Sequence, residues 1–303
     1  MRFCPLHRIA RRARLPFALL LAASSGCKGG SPPPPKEQAS PSDSGAAPPA
    51  PSESAVSVER ALPPATVETF VNPAHLPVYR GPTGSVEGTV TISGDPAPNT
   101  TNRDYTRCRS GELAYGKLFR EGPARPDGTR PVADVLVAVT GYTGAYLPEP
   151  NPVRTITIED CALRSRAIDM TIGQRLDIKN LMKDKIFAPA FLQMPSPLAL
   201  VAPPLGDPVS LYPQAPQTYT LYDRFGAGSS YLTGEVYVLM QPLHAVTDLE
   251  GHYRIDGIPV GRAKVNGLLG MIHKEATKSI DIQVNVVATV DLELRYTRPP
   301  PGK

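Results

Sequence analysis

The side chains best suited to metal chemistry in this 303-residue chain are two methionine–histidine pairs near its C-terminal end. Met240 lies four residues before His244, and Met271 lies two before His273. The second spacing would put both side chains on one face of a strand. Thioether and imidazole groups together can hold Cu(I). Because methionine also suits a core and a single histidine is usually structural, we predict no metal cofactor and keep copper binding as the alternative.

Catalytic motifs are absent from the sequence. It contains no Gly-x-Ser-x-Gly turn, no His-Glu-x-x-His motif and no glycine-rich phosphate loop. Acidic residues such as Asp160, Asp248 and Asp256 fall at strand ends and turns, where short polar side chains stabilise the turn. We therefore predict that the protein is not an enzyme.

The N-terminal residues predict export. An apolar run, Leu15–Ala23, is too short to span a bilayer and follows a basic segment without acidic residues. Ser24-Ser-Gly-Cys27 resembles the lipobox of bacterial lipoproteins, which implies lipidation of Cys27, although Ser24 stands where leucine is usual. Cleavage by an ordinary signal peptidase is the alternative. We expect a signal peptide at 1–26 and an outer-membrane lipoprotein facing the periplasm or the cell surface.

Removal of that segment changes the interpretation of charge and cysteines. The formal charge would fall from +4 to about −1, because five arginines leave, so nucleic acid is not an expected partner. Residues 27–65 are rich in Pro, Ser and Ala and predict a disordered tether. Beyond Cys4 and Cys27, two cysteines remain, and in an oxidising compartment we expect a Cys108–Cys161 disulfide. A thiolate metal ligand is the alternative.

The remaining chain predicts an all-β fold. Short runs of alternating or β-branched residues are separated by Gly, Pro and Asp turns, a pattern typical of an antiparallel β-sandwich. These runs are 86–92, 132–139, 154–158, 174–178, 235–239, 253–255, 263–265, 279–284 and 289–294. Eight prolines between residues 188 and 216 indicate a loop and exclude a central strand there.

Several of these segments carry a family resemblance. His244–Gly261, with its Thr-Asp-Leu-Glu-Gly turn and Gly-Ile-Pro-Val-Gly ending, resembles the signature of carboxypeptidase-regulatory-like, transthyretin-type sandwiches. Residues 84–90 resemble the first strand of that unit and 279–294 its last. The intervening part resembles a plastocyanin-like (cupredoxin-like) segment at 135–139, at Asp160-Cys161 and at 171–180. The resemblance implies a split sandwich at 66–130 and 241–297, a cupredoxin-like insertion at 131–240 and a tail at 298–303.

The copper ligands of that family are missing. The resemblance implies a histidine soon after Asn180 and a Cys-x-x-His-x-x-Met cluster before the C-terminal signature. Residues 181–187 contain no histidine, and 231–242 contain neither histidine nor cysteine. The resemblance therefore implies the scaffold without the ordinary blue-copper site.

Four tyrosines complete the candidate residues. Tyrosine combines a large apolar face with a polar tip and is frequent in contact surfaces, although packing of a loop onto the sandwich explains the same cluster. The candidates are Tyr212, Tyr219, Tyr222 and Tyr231. The sequence thus predicts a non-catalytic, membrane-anchored lipoprotein that uses a copper-free β scaffold as a structural or recognition module, with an unidentified protein or glycan partner. Copper binding or electron transfer at the Met/His set is the alternative.

Overall fold

A computed structural model describes residues 60–100, 109–194, 199–226 and 232–300, which belong to one compact unit. The predicted signal peptide, the lipid site and most of the predicted tether lie outside these residues. Two short helices, α1 (Pro64–Val71) and α2 (Arg109–Tyr115), accompany the strands. No helix in the described ranges is both long and apolar enough to cross a membrane.

Seventeen strands are present in the described residues, and the predicted all-β class is confirmed. They are β1 (Thr83–Gly94), β2 (Arg130–Pro131), β3 (Leu136–Thr140), β4 (Val153–Glu159), β5 (Ala162–Leu163), β6 (Ala167–Thr171), β7 (Arg175–Asn180), β8 (Pro189–Phe191), β9 (Val209–Leu211), β10 (Thr218–Asp223), β11 (Thr233–Leu239), β12 (His244–Val246), β13 (His252–Pro259), β14 (Gly261–Leu269), β15 (Lys274–Ile282), β16 (Val287–Thr289) and β17 (Leu292–Tyr296). The proline-dense stretch contributes only β8 and β9, at sheet edges, where a missing N–H costs no ladder bond.

These strands form four sheets that enclose two hydrophobic cores. The first core lies between the sheet of β1, β2, β13, β16 and β17 and the sheet of β12, β3, β14 and β15. The second lies between the sheet of β6, β11, β10 and β8 and the sheet of β5, β4, β7 and β9. We call them the first and second sandwich. Within β1, Val86, Val90 and Ile92 are fully buried, as the alternating pattern predicts.

The signature turn forms as expected. Asp248 closes a tight turn between β12 and β13, because its carboxylate accepts the backbone N–H groups of Glu250 and His252 at 3.0 and 2.8 Å. Gly251 adopts a φ of +76°, and an added Cβ there would lie 2.5 Å from the carbonyl oxygen of Val90. Only glycine fits both the backbone angle and this close approach.

Two segments lie differently from the sequence expectation. Val137 and Val139 of β3 join the first core, because β3 pairs with β12 and β14, although we assigned this strand to the insertion. Leu62 packs against the second core and α1 begins at Pro64, although the predicted tether extends to residue 65. The domain boundaries as a whole remain a prediction.

Candidate functional site

A buried histidine joins the two sandwiches. His244, at the start of β12, projects toward β6 of the second sandwich, and its side chain is 7% exposed. Its Nδ1 lies 2.8 Å from Oδ2 of Asp169, and its Nε2 lies 3.1 Å from Oγ1 of Thr171. Arg154 donates from Nη2 to the other oxygen of Asp169 at 2.5 Å. Both ring nitrogens of His244 are therefore within hydrogen-bond distance of oxygen atoms.

The local charges keep Asp169 ionised. Burial alone would raise the pKa of Asp169, but the hydrogen bond from His244 and the positive charge of Arg154 outweigh it. The pKa of this carboxyl is consequently lower than its ordinary value. A buried carboxylate is tolerated here because cationic and hydrogen-bonding partners surround it.

The same network continues to a cleft beside α1. The hydroxyl of Thr171 donates to Oε2 of Glu149 at 2.8 Å, and the backbone N–H of Thr171 donates to Oε1 of Gln174 at 2.6 Å. Both Thr171 and Glu149 line a cleft of about 640 Å³ that also contacts Val67 of α1. The described residues thus form a continuous polar chain from Arg154 through His244 to this cleft.

Asp169, His244 and Thr171 are connected in the same way as an orienting carboxylate, a base and a nucleophile, in that order. Two features oppose nucleophilic chemistry. Thr171 is only 2% exposed, and the carboxylate of Glu149 beside its oxygen would disfavour negative charge there. The arrangement is better suited to fixing β12 against β6 than to attacking a substrate.

The Met/His candidates differ in exposure and in the elements that carry them. Met240 is 55% exposed after β11, and Met271 is half-buried and packs against the first core. The expectation that Met271 and His273 share a strand face is wrong, because Gly270–Ile272 forms a 3-10 turn. His273 follows this turn with a φ of +50° and is exposed. The described residues contain no group of three or more His, Cys, Asp or Glu that could hold a metal ion.

At the end of the second sandwich, where β7 ends, amide groups hold the loops. The side chain of Asn180 donates to the carbonyls of Lys185 and Ala202 at 2.8 and 3.0 Å, and it accepts the N–H of Met182 at 2.9 Å. No histidine occurs anywhere between residues 76 and 243. Residues 76–243 therefore supply none of the histidine ligands that the family resemblance implies for a copper site.

Cys161 lies in the tight turn between β4 and β5. Asp160 and Cys161 have φ values of +43° and +62°, and Cys161 is 1% exposed with the Nζ of Lys185 at 2.8 Å from its sulfur. Cys27 and Cys108 lie outside the described residues. The backbone N–H of Ser110 donates to Asp160 at 2.7 Å, so the chain just after Cys108 lies beside Cys161. The disulfide remains a prediction that this contact favours.

The predicted tyrosine surface needs correction. Tyr219 is fully buried, and its hydroxyl contacts the backbone of Gln214 and Ala215 at 3.0–3.2 Å, so it packs a loop onto the sandwich and contributes no exposed surface. Tyr212 and Tyr222 are half-buried, and Tyr231 lies outside the described residues.

A second buried polar link was not found from the sequence. Asp134, 1% exposed with a φ of +64°, accepts two hydrogen bonds from Arg120, at 2.5 and 2.6 Å. It also accepts the Ser165 hydroxyl at 2.9 Å and the Arg166 N–H at 2.8 Å. Because Ser165 and Arg166 directly precede β6, this carboxylate is a further junction between the sandwiches.

Comparisons with known proteins add little to this geometry. No protein-family model matches the sequence, and no curated protein matches it. Among solved structures, the chain is similar to a copper-containing nitrite reductase from Thermus scotoductus SA-01, with 18% identity and a TM-score of 0.24. The match covers 32% of this chain and 24% of the reductase, so the chain spans about a quarter of that protein's length. Similarity at this level assigns no function.

Proposed function

We propose that this protein is an exported, membrane-anchored lipoprotein that uses a copper-free, cupredoxin-like β scaffold as a non-catalytic structural or recognition module. The observation that carries the proposal is the position of the histidine side chains and the atoms that they contact. The strands of the second sandwich contain no histidine, and His244, which reaches β6 from β12, is held by Asp169 and Thr171.

The residues present do not fit a copper ion. A histidine that binds copper needs a ring nitrogen with a free lone pair, so His244 would have to give up its contact with either Asp169 or Thr171. Met240 and Met271 differ in burial and belong to different segments, one exposed after β11 and one packed on the first core. The scaffold role is therefore favoured over the copper-binding or electron-transfer alternative.

Anchoring is tested by labelling the full chain with radioactive palmitate during expression in a bacterial host. We expect label in the protein and its loss in Cys27→Ala. Cys4→Ala is the matched control, because it removes a cysteine from the predicted signal peptide and leaves the lipidation site intact. Equal label in both variants, or none in the unmodified chain, contradicts lipidation at Cys27.

The copper question is tested on the same detergent-extracted protein by elemental analysis after incubation with Cu(I) or Cu(II) and desalting. We expect no retained copper. About one copper per chain that is lost in His244→Ala would overturn the scaffold proposal and establish an atypical site. A count of free thiols in the same sample tests the Cys108–Cys161 bridge, for which we expect none.

A further inference from the structure

The hydrogen bonds around His244 require a hydrogen on each of its ring nitrogens. The pKa of Asp169 is lowered, so this carboxyl is ionised and its Oδ2 can only accept the hydrogen bond from Nδ1 at 2.8 Å. Thr171 has a single hydroxyl hydrogen, which it donates to Oε2 of Glu149 at 2.8 Å. The oxygen of Thr171, 3.1 Å from Nε2, therefore accepts the hydrogen that this nitrogen carries. An imidazole ring that donates from both nitrogens is an imidazolium.

The carboxylate of Glu149 determines the direction of these bonds. Its Oε1 accepts the backbone N–H of Asn151 at 3.0 Å, and its Oε2 accepts the hydroxyl of Thr171. A neutral His244 would need that hydroxyl hydrogen for its own Nε2, because its other nitrogen carries the hydrogen that Asp169 accepts. The oxygens of Thr171 and Glu149 would then face each other at 2.8 Å with no hydrogen between them. Loss of one proton from His244 therefore breaks the bond between Thr171 and Glu149.

The charges in this network balance when the ring is protonated. Arg154 of β4 and His244 supply two positive charges, while Asp169 of β6 and Glu149, which precedes β4, supply two negative charges. The side chain of His244 is 7% exposed, so solvent screens these charges weakly. A buried cation is tolerated at this position because it has carboxylate partners and hydrogen-bond acceptors.

The strands packed against β12 bring no other charge to this network. β12 contacts β3, β6 and β13. β3 has no titratable residue and places Ala138 opposite His244, and β6 contributes only Asp169. The side chain of Arg254 in β13 binds Asp256 and Glu87 within the first sandwich. Among the described residues, no hydrogen bond or ion pair joins the titratable side chains of β13 to His244; these are His252, Tyr253, Arg254 and Asp256.

The other end of the network lies in a cleft. Glu149 and Thr171 both line the space of about 640 Å³ beside α1, and so does Gln174, whose Oε1 accepts the N–H of Thr171. The bond between Thr171 and Glu149 is therefore the point at which a proton on His244 can affect the surface of the cleft.

We propose that His244 is a buried imidazolium that acts as a pH-sensitive switch. While it is protonated, it holds the carboxylate of Glu149 on Thr171; when it loses its proton, this carboxylate is released toward the cleft. The release accompanies a rise in pH, because the carboxylates are already ionised and the proton that leaves is the one on the ring. This inference goes beyond the scaffold role and does not depend on lipidation at Cys27.

The first test is the protonation state of the ring. The full-length protein is labelled with nitrogen-15 at its five histidines, and proton–nitrogen NMR spectra of the rings are recorded from about pH 6 to 9. The signal of His244 is assigned by its loss in His244→Asn. We expect both ring nitrogens to carry hydrogen at about pH 7, and one of them to lose it as the pH rises. A hydrogen-free nitrogen at about pH 7, or a ring that does not titrate in this range, overturns the proposal.

The second test is the coupling between His244 and the cleft. Glu149→Gln and Thr171→Val should each lower the proton affinity of His244 about tenfold, because each removes a bond that requires the charged ring. Glu68→Gln is the matched control, since Glu68 lines the same cleft but contacts His75, and it should leave the His244 titration unchanged. No change in Glu149→Gln, or an equal change in Glu68→Gln, overturns the coupling. Because Glu149 is only half-buried, its variant decides the test even if Thr171→Val fails to fold.

The third test follows the cleft itself. The chain contains no tryptophan, and Tyr146 is half-buried and lines the cleft, so Tyr146→Trp places a single indole there. We expect its fluorescence emission to change at the pH at which the His244 ring titrates, and this change to disappear when Glu149→Gln is added. Emission that stays constant through that pH, or that changes equally with Glu149→Gln present, refutes the release of Glu149 toward the cleft.

Discussion

Replacement of the buried carboxylate at position 134 should destabilise the protein strongly. Asp134→Asn preserves the shape and tolerates the positive φ, but it removes the charge that faces Arg120, whose side chain is 12% exposed. Breaking a buried ion pair from one side costs about 3–5 kcal/mol, because the remaining charge stays without compensation. For a unit of this size the melting temperature should fall by about 6–20 °C. Thermal unfolding followed by far-UV circular dichroism measures this.

The control is Asp281→Asn, which removes a carboxylate that lies 4.0 Å from Arg262 with both side chains largely exposed. We expect a change within about 0.5 kcal/mol. Arg120→Met combined with Asp134→Asn should recover part of the loss, because no isolated buried charge remains. A loss below about 1 kcal/mol in Asp134→Asn alone would refute the reasoning that this pair is buried and coupled.

Three other perturbations have expected outcomes. Because the folded pKa of Asp169 is lowered, its ionisation stabilises the fold above about pH 4 and this contribution disappears as pH falls through the folded pKa, so the difference in unfolding free energy between wild type and Asp169→Asn should shrink from neutral to acidic pH in urea titrations. Tyr219→Phe should lower the free energy of unfolding by about 0.5–1.5 kcal/mol, because it removes the hydrogen bonds between its hydroxyl and the half-buried backbone of Ala215, whereas Tyr222→Phe should change this free energy little. Gly251→Ala should lower the melting temperature more than Gly257→Ala, since both have a φ of +76° but an added Cβ contacts another atom only at Gly251.

The β architecture was predictable because its signals are local. Alternation in 86–92 marks a half-buried strand, and Asp248 with Gly251 marks a turn, and both are readable within a few residues. The burial of Tyr219 follows from the same rule, since Tyr219 and Leu221 share the inward face of β10. The sequence prediction grouped the tyrosines by type and missed this periodicity.

The junction residues could not be identified in this way. His244 is 75 residues from Asp169, and no periodicity relates them. Asp169 and Thr171 did carry a signal, because they interrupt an apolar strand, and β6 is buried at all five positions. Such polar residues inside a buried strand need partners, but the sequence alone does not name them. The prediction that Met271 and His273 share a strand face failed for a different reason. Leu269 pairs with Lys274, so the residues between them form a tight connection between β14 and β15.

The junction explains why two separate cores can act as one scaffold. The apolar contact between the sandwiches includes the small cluster of Leu136, Ala167 and Tyr237, and apolar contacts alone tolerate sliding because they are not directional. Asp134 binds the chain directly before β6, and the Asp169–His244 pair binds β6 itself, so both add hydrogen bonds of defined geometry between the sandwiches. Directional buried bonds are costly when misaligned, so they favour one relative placement. Wild-type unfolding, followed by far-UV circular dichroism, should therefore be a single cooperative transition, and two separate transitions would contradict this coupling of the cores.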